Sequence, residues 1–134
     1  MSGFLRRVGF WLSLPLAALQ GLRLRRTAIR LPEAGGARTG VCGKGADLHL
    51  LALGDSIIAG VGTPDMTHSL PVQFARALAE IRQCAVHWQV KGANGADIAD
   101  LRHTLRQLPR DTQADVILIS IGVNDVTGLS STRH

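Results

Sequence analysis

With 134 residues, 46% of them hydrophobic, the chain has room for one domain with an ample core, and its formal net charge of +5 raises the question of a nucleic-acid partner. The charge is confined to one end: Arg6, Arg7, Arg23, Arg25, Arg26 and Arg30 precede residue 31 without a single acid, and the remainder carries nine basic residues against ten acidic ones. A globular part that is close to neutral has no polyanion footprint, so nucleic acid is excluded as a partner.

The N-terminal segment, residues 1–31, frames a charge-free run of fifteen residues, "VGFWLSLPLAALQGL" at 8–22, between arginine clusters. As a helix such a run would measure about 22 Å, short of a hydrocarbon core of roughly 30 Å, and Pro15 would kink it. An interfacial or short anchoring helix fits, with Trp11 and the flanking arginines at headgroup level; a secretory signal peptide is the alternative. The larger basic cluster on the C-terminal side favours a membrane-associated chain whose domain stays cytoplasmic.

Residues 32–46 include "PEAGGARTGVCGKG" and read as a Gly-rich linker. Cys42 lies in it and Cys84 near the end of a predicted helix; that spacing forms no zinc pattern and no disulfide framework, so both are expected as free thiols.

From residue 47 strands and helices alternate. "LHLLALG" (48–54) is the first strand, and the helix after it, 69–83, carries Leu70, Phe74, Ala77, Leu78 and Ile81 as its apolar face. "VHWQVKG" (86–92) is the second strand, and 96–108 is a helix with Ile98, Leu101, Leu105 and Leu108 as its stripe. "ADVILISIG" (114–122) is the third strand, apolar enough to be buried on both faces. A βαβαβ unit with helices of this length implies a parallel sheet with right-handed crossovers.

Ligands gather at the carboxyl ends of such strands. Here those ends read Gly54-Asp55-Ser56, Gly92-Ala93-Asn94-Gly95 and Gly122-Val123-Asn124-Asp125. A serine hydroxyl, a glycine backbone N–H and an asparagine amide on one rim are what acyl transfer needs: a nucleophile and donors for the oxyanion. Other readings exist for each piece. Asp55-Ser56 could cap a helix, "AGVG" (59–62) could cradle a phosphate, and Asp55, Asp97 and Asp125 could hold a divalent metal as in receiver domains.

"GDSIIAGVG", "GANGAD" and "GVNDVTG", in that order and at strand ends, resemble blocks one, two and three of the GDSL or SGNH hydrolase family, over roughly residues 48–128. The resemblance implies a flavodoxin-like three-layer α/β/α fold and esterase, lipase, thioesterase or carbohydrate deacetylase chemistry. It makes Ser56 the nucleophile, Gly95 and Asn124 the oxyanion donors, and Asp55 and Asp125 supporting neighbours. Ile57 stands where the family name has Leu. The substrate implied is a small or lipid-like ester, and no metal or organic cofactor is called for.

The family also carries an Asp-x-x-His block near the C-terminus of the domain, and the sequence is read as lacking one; His134 has Ser131 three positions before it. The chain is therefore expected to be a hydrolase truncated after the third strand, with that strand an open edge through which it self-associates. A catalytically inactive remnant, or an α/β module that binds a ligand or partner, is the competing expectation.

Overall fold

The structure, a computed structural model, describes residue 20 and residues 31–128. The chain divides into two compact units, 1–30 and 31–134. The anchor-or-signal reading of 8–22, with the localisation drawn from it, falls almost wholly outside the described residues. Among the described residues no helix is long and apolar enough to cross a membrane.

The second unit is a mixed α/β fold. In chain order it forms β1 (Thr39–Cys42), β2 (Asp47–Gly54), a 3₁₀ turn (Met66–His68), α1 (Leu70–Arg82), β3 (Ala85–Gly92), α2 (Ile98–Gln107), β4 (Val116–Ser120) and α3 (Val123–Gly128). The sheet order is β1-β3-β2-β4, with β3 and β4 parallel to β2. The three strands expected from the sequence are present as β2, β3 and β4, with β2 between the other two. The connections β2–α1–β3 and β3–α2–β4 run in opposite directions across the sheet, so right-handed crossovers put α1 and α2 on opposite faces.

Two consequences follow from side-chain alternation. Leu50, Ala52, Val86, Trp88 and Val90 point to one face and form the core with Val72, Ala75 and Ala79 of α1, closed at the top by Ile58 and Met66. Each large side chain so buried stabilises the fold by about 1.5–3 kcal/mol. On the other face Leu51 and Leu53 are buried while Ile117 and Ile119 of β4 are 55% and 54% exposed.

Three expectations need correction. The stretch 32–46 is not a linker: β1 lies within it and pairs antiparallel with β3, so the sheet is mixed. Its glycines are what let it fold there, since a Cβ at Gly40 would sit 2.5 Å from the Trp88 ring. The inner face of α1 is Val72, Ala75 and Ala79; Leu70, Phe74 and Ile81 lie outward, because small residues let the helix approach the sheet closely. Finally, β4 is not buried on both faces: among the described residues it pairs with β2 alone, and Ile117 and Ile119 alternate outward.

Candidate active site

Carboxyl ends of three strands meet level with one another. Gly54 is in register with both Gly92 and Ser120, and backbone bonds continue the pairing past the sheet: Asp55 N–H donates to Ser120 O (2.9 Å) and Ala93 N–H to Gly54 O (3.1 Å). Because the crossover direction reverses at β2, the crevice of the sheet falls between the ends of β2 and β4.

The loop after β2 is shaped by two glycines and one carboxylate. Gly54 has φ +152°, and a Cβ there would run into Ser120 O and Ile58. At Gly92 a Cβ would come within 2.6 Å of Ala59 N, so the loop lies directly over the end of β3. Asp55 is buried; its Oδ1 accepts from Ile57 N–H (3.1 Å) and its carbonyl from Ala59 N–H (2.9 Å). These bonds wind the chain into a tight turn around Ser56, which is half-buried at the rim.

Gly95 lies in the loop after β3. Ala96 N–H bonds Ala93 O (3.2 Å), closing a turn with Gly95 at its third position, and its φ of +84° is the signature of a type II turn. No atom lies within 4 Å of where its Cβ would be, so Gly95 faces open space at the rim.

The loop after β4 is tied to this one twice. Asn124 Nδ2 donates to Ala96 O (2.8 Å), and the Asp125 carboxylate accepts from Ile98 N–H at 3.2 Å, capping the start of α2. Asp97 and Asp100 complete the cap as a reciprocal box. The residues singled out at the three strand ends thus belong to one bonded set of loops. Among the described residues no three His, Cys, Asp or Glu side chains are grouped to hold a metal ion. The acidic cluster considered for Asp55, Asp97 and Asp125 is instead spent on backbone N–H groups.

The family model for the GDSL-like lipase/acylhydrolase family matches residues 52–134, more than half of the chain. The chain belongs to that family. A solved relative, the crystal structure of AlinE4, described as an SGNH-hydrolase family esterase, is 25% identical and superposes with a TM-score of 0.54 over 66% of this chain and 47% of that one. The chain therefore spans about half the length of that esterase. No curated protein sequence matches it.

A GDSL-family rim calls attention to histidines. Each one described has its own partner: His49 Nδ1 lies 3.2 Å from Asp115, His87 Nε2 lies 2.7 Å from Asp47, and His103 bonds Gln107. His49 and His87 stack with ring centroids 5.3 Å apart. His49 is five residues before the end of β2, roughly 17 Å from the rim at strand rise. His68 corrects the reading that no Asp-x-x-His spacing exists: Asp65 precedes it by three, and Asp65 Oδ1 is 3.0 Å from His68 Nδ1. Hydrogen bonding by Thr67 and His68 holds the Asp65 carboxyl down at about 2. The pair stands at the 3₁₀ turn before α1, not near the end of the domain. The spacing is the only signal of the pair that the sequence carries. No hydrogen bond joins any described histidine to Ser56.

Sequence reading also missed a strap over the rim. Residues 31–35 bond the loop after β2 on one side, through Gly62 N–H to Pro32 O and Ala34 N–H to Ala59 O, both 3.2 Å. On the other side Glu33 Oε1 accepts from Asn94 N–H at 2.6 Å. Nothing local in the sequence marks a contact between positions 61 apart.

Proposed function

We propose that this member of the GDSL-like family is an acyl hydrolase whose nucleophile is Ser56. The reading is carried by one observation: the loops that bear Ser56, Gly95 and Asn124 are bonded to one another at level strand ends, through Asp55 to Ser120, Ala93 to Gly54 and Asn124 to Ala96.

Ser56 Oγ attacks the carbonyl carbon of an ester or other acyl substrate as a base takes its proton. The carbonyl π pair moves onto oxygen, and the resulting oxyanion is met by the N–H groups of Ser56 and Gly95 and the side-chain amide of Asn124. Collapse of the intermediate breaks the bond to the leaving group, which departs with the proton, and water then cleaves the acyl-serine by the same steps. Asp55 and Asp125 support the site through the backbone: Asp55 winds the serine turn, and Asp125 ties the Asn124 loop to α2.

We assign the base to the family's Asp-x-x-His block, since no described histidine bonds Ser56 and Asp65–His68 stands on another element. Oxyanion donors and binding alone retain about 10³- to 10⁴-fold acceleration over water, so the 134-residue chain should cleave activated esters slowly. Steady-state hydrolysis of a short-chain p-nitrophenyl ester tests this: turnover is expected together with an acyl adduct on Ser56 that acid quenching traps, and Ser56→Ala should form no adduct while keeping only the background due to the oxyanion donors. Saturable ester binding without turnover by either protein would favour a binding module, a reading supported by the lack of a Ser56–histidine bond among the described residues.

A further inference from the structure

The strap at 31–35 reaches the site through a single charged side chain. Glu33 uses both oxygens: Oε1 accepts from Asn94 N–H (2.6 Å) and Oε2 pairs with Arg38 Nη2 (2.7 Å). Both side chains are about two-thirds withdrawn from solvent, with 35% and 34% exposure. Asn94 is bound a second time, its Nδ2 donating to Leu31 O at 3.4 Å.

What this grip controls is the peptide next to it. Asn94 and Gly95 are the central residues of the 93–96 turn, and the positive φ of Gly95 marks it as type II. Types I and II differ by a flip of the central peptide, the one whose N–H belongs to Gly95. Gly95 has no side chain and no neighbour where one would be. The anchors on Asn94 do not act on that flip itself; they hold the residue that carries the turn, and so the place from which the Gly95 N–H points.

We infer that Glu33 is a positioning residue for the oxyanion site: held by Arg38, its carboxylate fixes the Asn94 backbone and so aims the Gly95 N–H. The inference rests on the acyl-hydrolase reading above. Arg38 has a second task. A carboxylate near a developing oxyanion opposes it, and the guanidinium cancels that charge. Glutamine at 33 would keep an acceptor for Asn94 N–H while needing no cation.

The test measures the second-order rate at which a fluorophosphonate labels Ser56 in the full chain, alongside the amide NMR resonances of Asn94 and Gly95. Glu33→Ala should slow labelling roughly tenfold, part of the 10²- to 10³-fold that a lost oxyanion donor costs. It should also move both resonances. Glu33→Gln should stay within about threefold of the parent, on the same scale. Arg38→Ala should slow labelling, and adding Glu33→Gln to it should speed labelling up again, a reversal that a merely structural salt bridge would not give.

Labelling of Glu33→Ala at the parent rate with both resonances unmoved would overturn the inference. If Glu33→Ala does not fold, the absence of the reversal in the Arg38→Ala background overturns it equally. Should the parent chain itself fail to label, the acyl-hydrolase reading falls. The resonances then decide the strap separately: movement of the Gly95 signal in Glu33→Ala, or in Arg38→Ala with its return when Glu33→Gln is added, supports the positioning, and its constancy in both contradicts it.

Discussion

Asn124 and Ala96 are 28 positions apart in the chain and share a 2.8 Å hydrogen bond from side-chain amide to backbone carbonyl. That bond couples the loop after β4 to the loop after β3, and it orients the amide toward the turn that holds Gly95. In Asn124→Ala the coupling and the proposed oxyanion donor go together. Turnover should fall by about 10²-fold or more. Stability should fall by only about 1 kcal/mol, the worth of one hydrogen bond. Paired measurements of kcat and of urea midpoints separate the two effects.

Two glycines on the same rim should respond differently to alanine. At Gly54 a methyl group would collide with Ser120 O and Ile58. Steric overlap together with the positive φ should cost about 3 kcal/mol. At Gly95 the space is open and only the positive φ is strained, so about 1 kcal/mol is expected. Urea unfolding of the two variants checks the ordering, and equal losses would contradict the packing described.

Much of this rim could be read from residues because each motif sits at a strand end, and the apolar runs before them are unambiguous. The parts that could not be read are those where composition misleads or partners are remote. β1 was hidden because "TGVC" is embedded in glycines that otherwise mark a linker, although Gly40 is required by Trp88. The face of α1 follows fit and not hydrophobic size: Val72, Ala75 and Ala79 face β3 and leave Ile81 78% exposed. Glu33 carries no local signal, since its meaning depends on Asn94.

The edge strand β4 carries a prediction about association. Ile117 and Ile119 are more than half exposed on a strand that, among the described residues, pairs on one side only, with β2. Open, flat, apolar edges recruit other chains. The chain should sediment as a concentration-dependent mixture larger than a monomer, and Ile119→Lys should shift it toward monomer by placing a charge on that edge. Identical sedimentation of the two proteins would remove β4 from the contact.

Acid should act through Asp65. Its carboxyl is held at about 2, against an ordinary value of 3.8, chiefly by the Thr67 hydroxyl and then by His68. A group whose folded value is depressed stabilises the fold above the ordinary value and loses that contribution as pH falls through the folded one. The contribution of Asp65 should therefore be intact above about pH 4 and fade toward pH 2. Because the carboxylate is open to solvent, added salt should weaken it. Urea midpoints of the parent and Asp65→Asn should differ at pH 6 and converge near pH 2. A gap that does not narrow would contradict the assignment.

The most direct measurement is the site of covalent capture. After reaction of the full chain with a fluorophosphonate, tryptic peptides analysed by mass spectrometry should carry one phosphonyl group, on the hydroxyl of Ser56. The same treatment of Ser56→Ala should leave every serine unmodified. An adduct spread over several serines, or one that persists in Ser56→Ala, would mean that the loops at this rim do not activate Ser56.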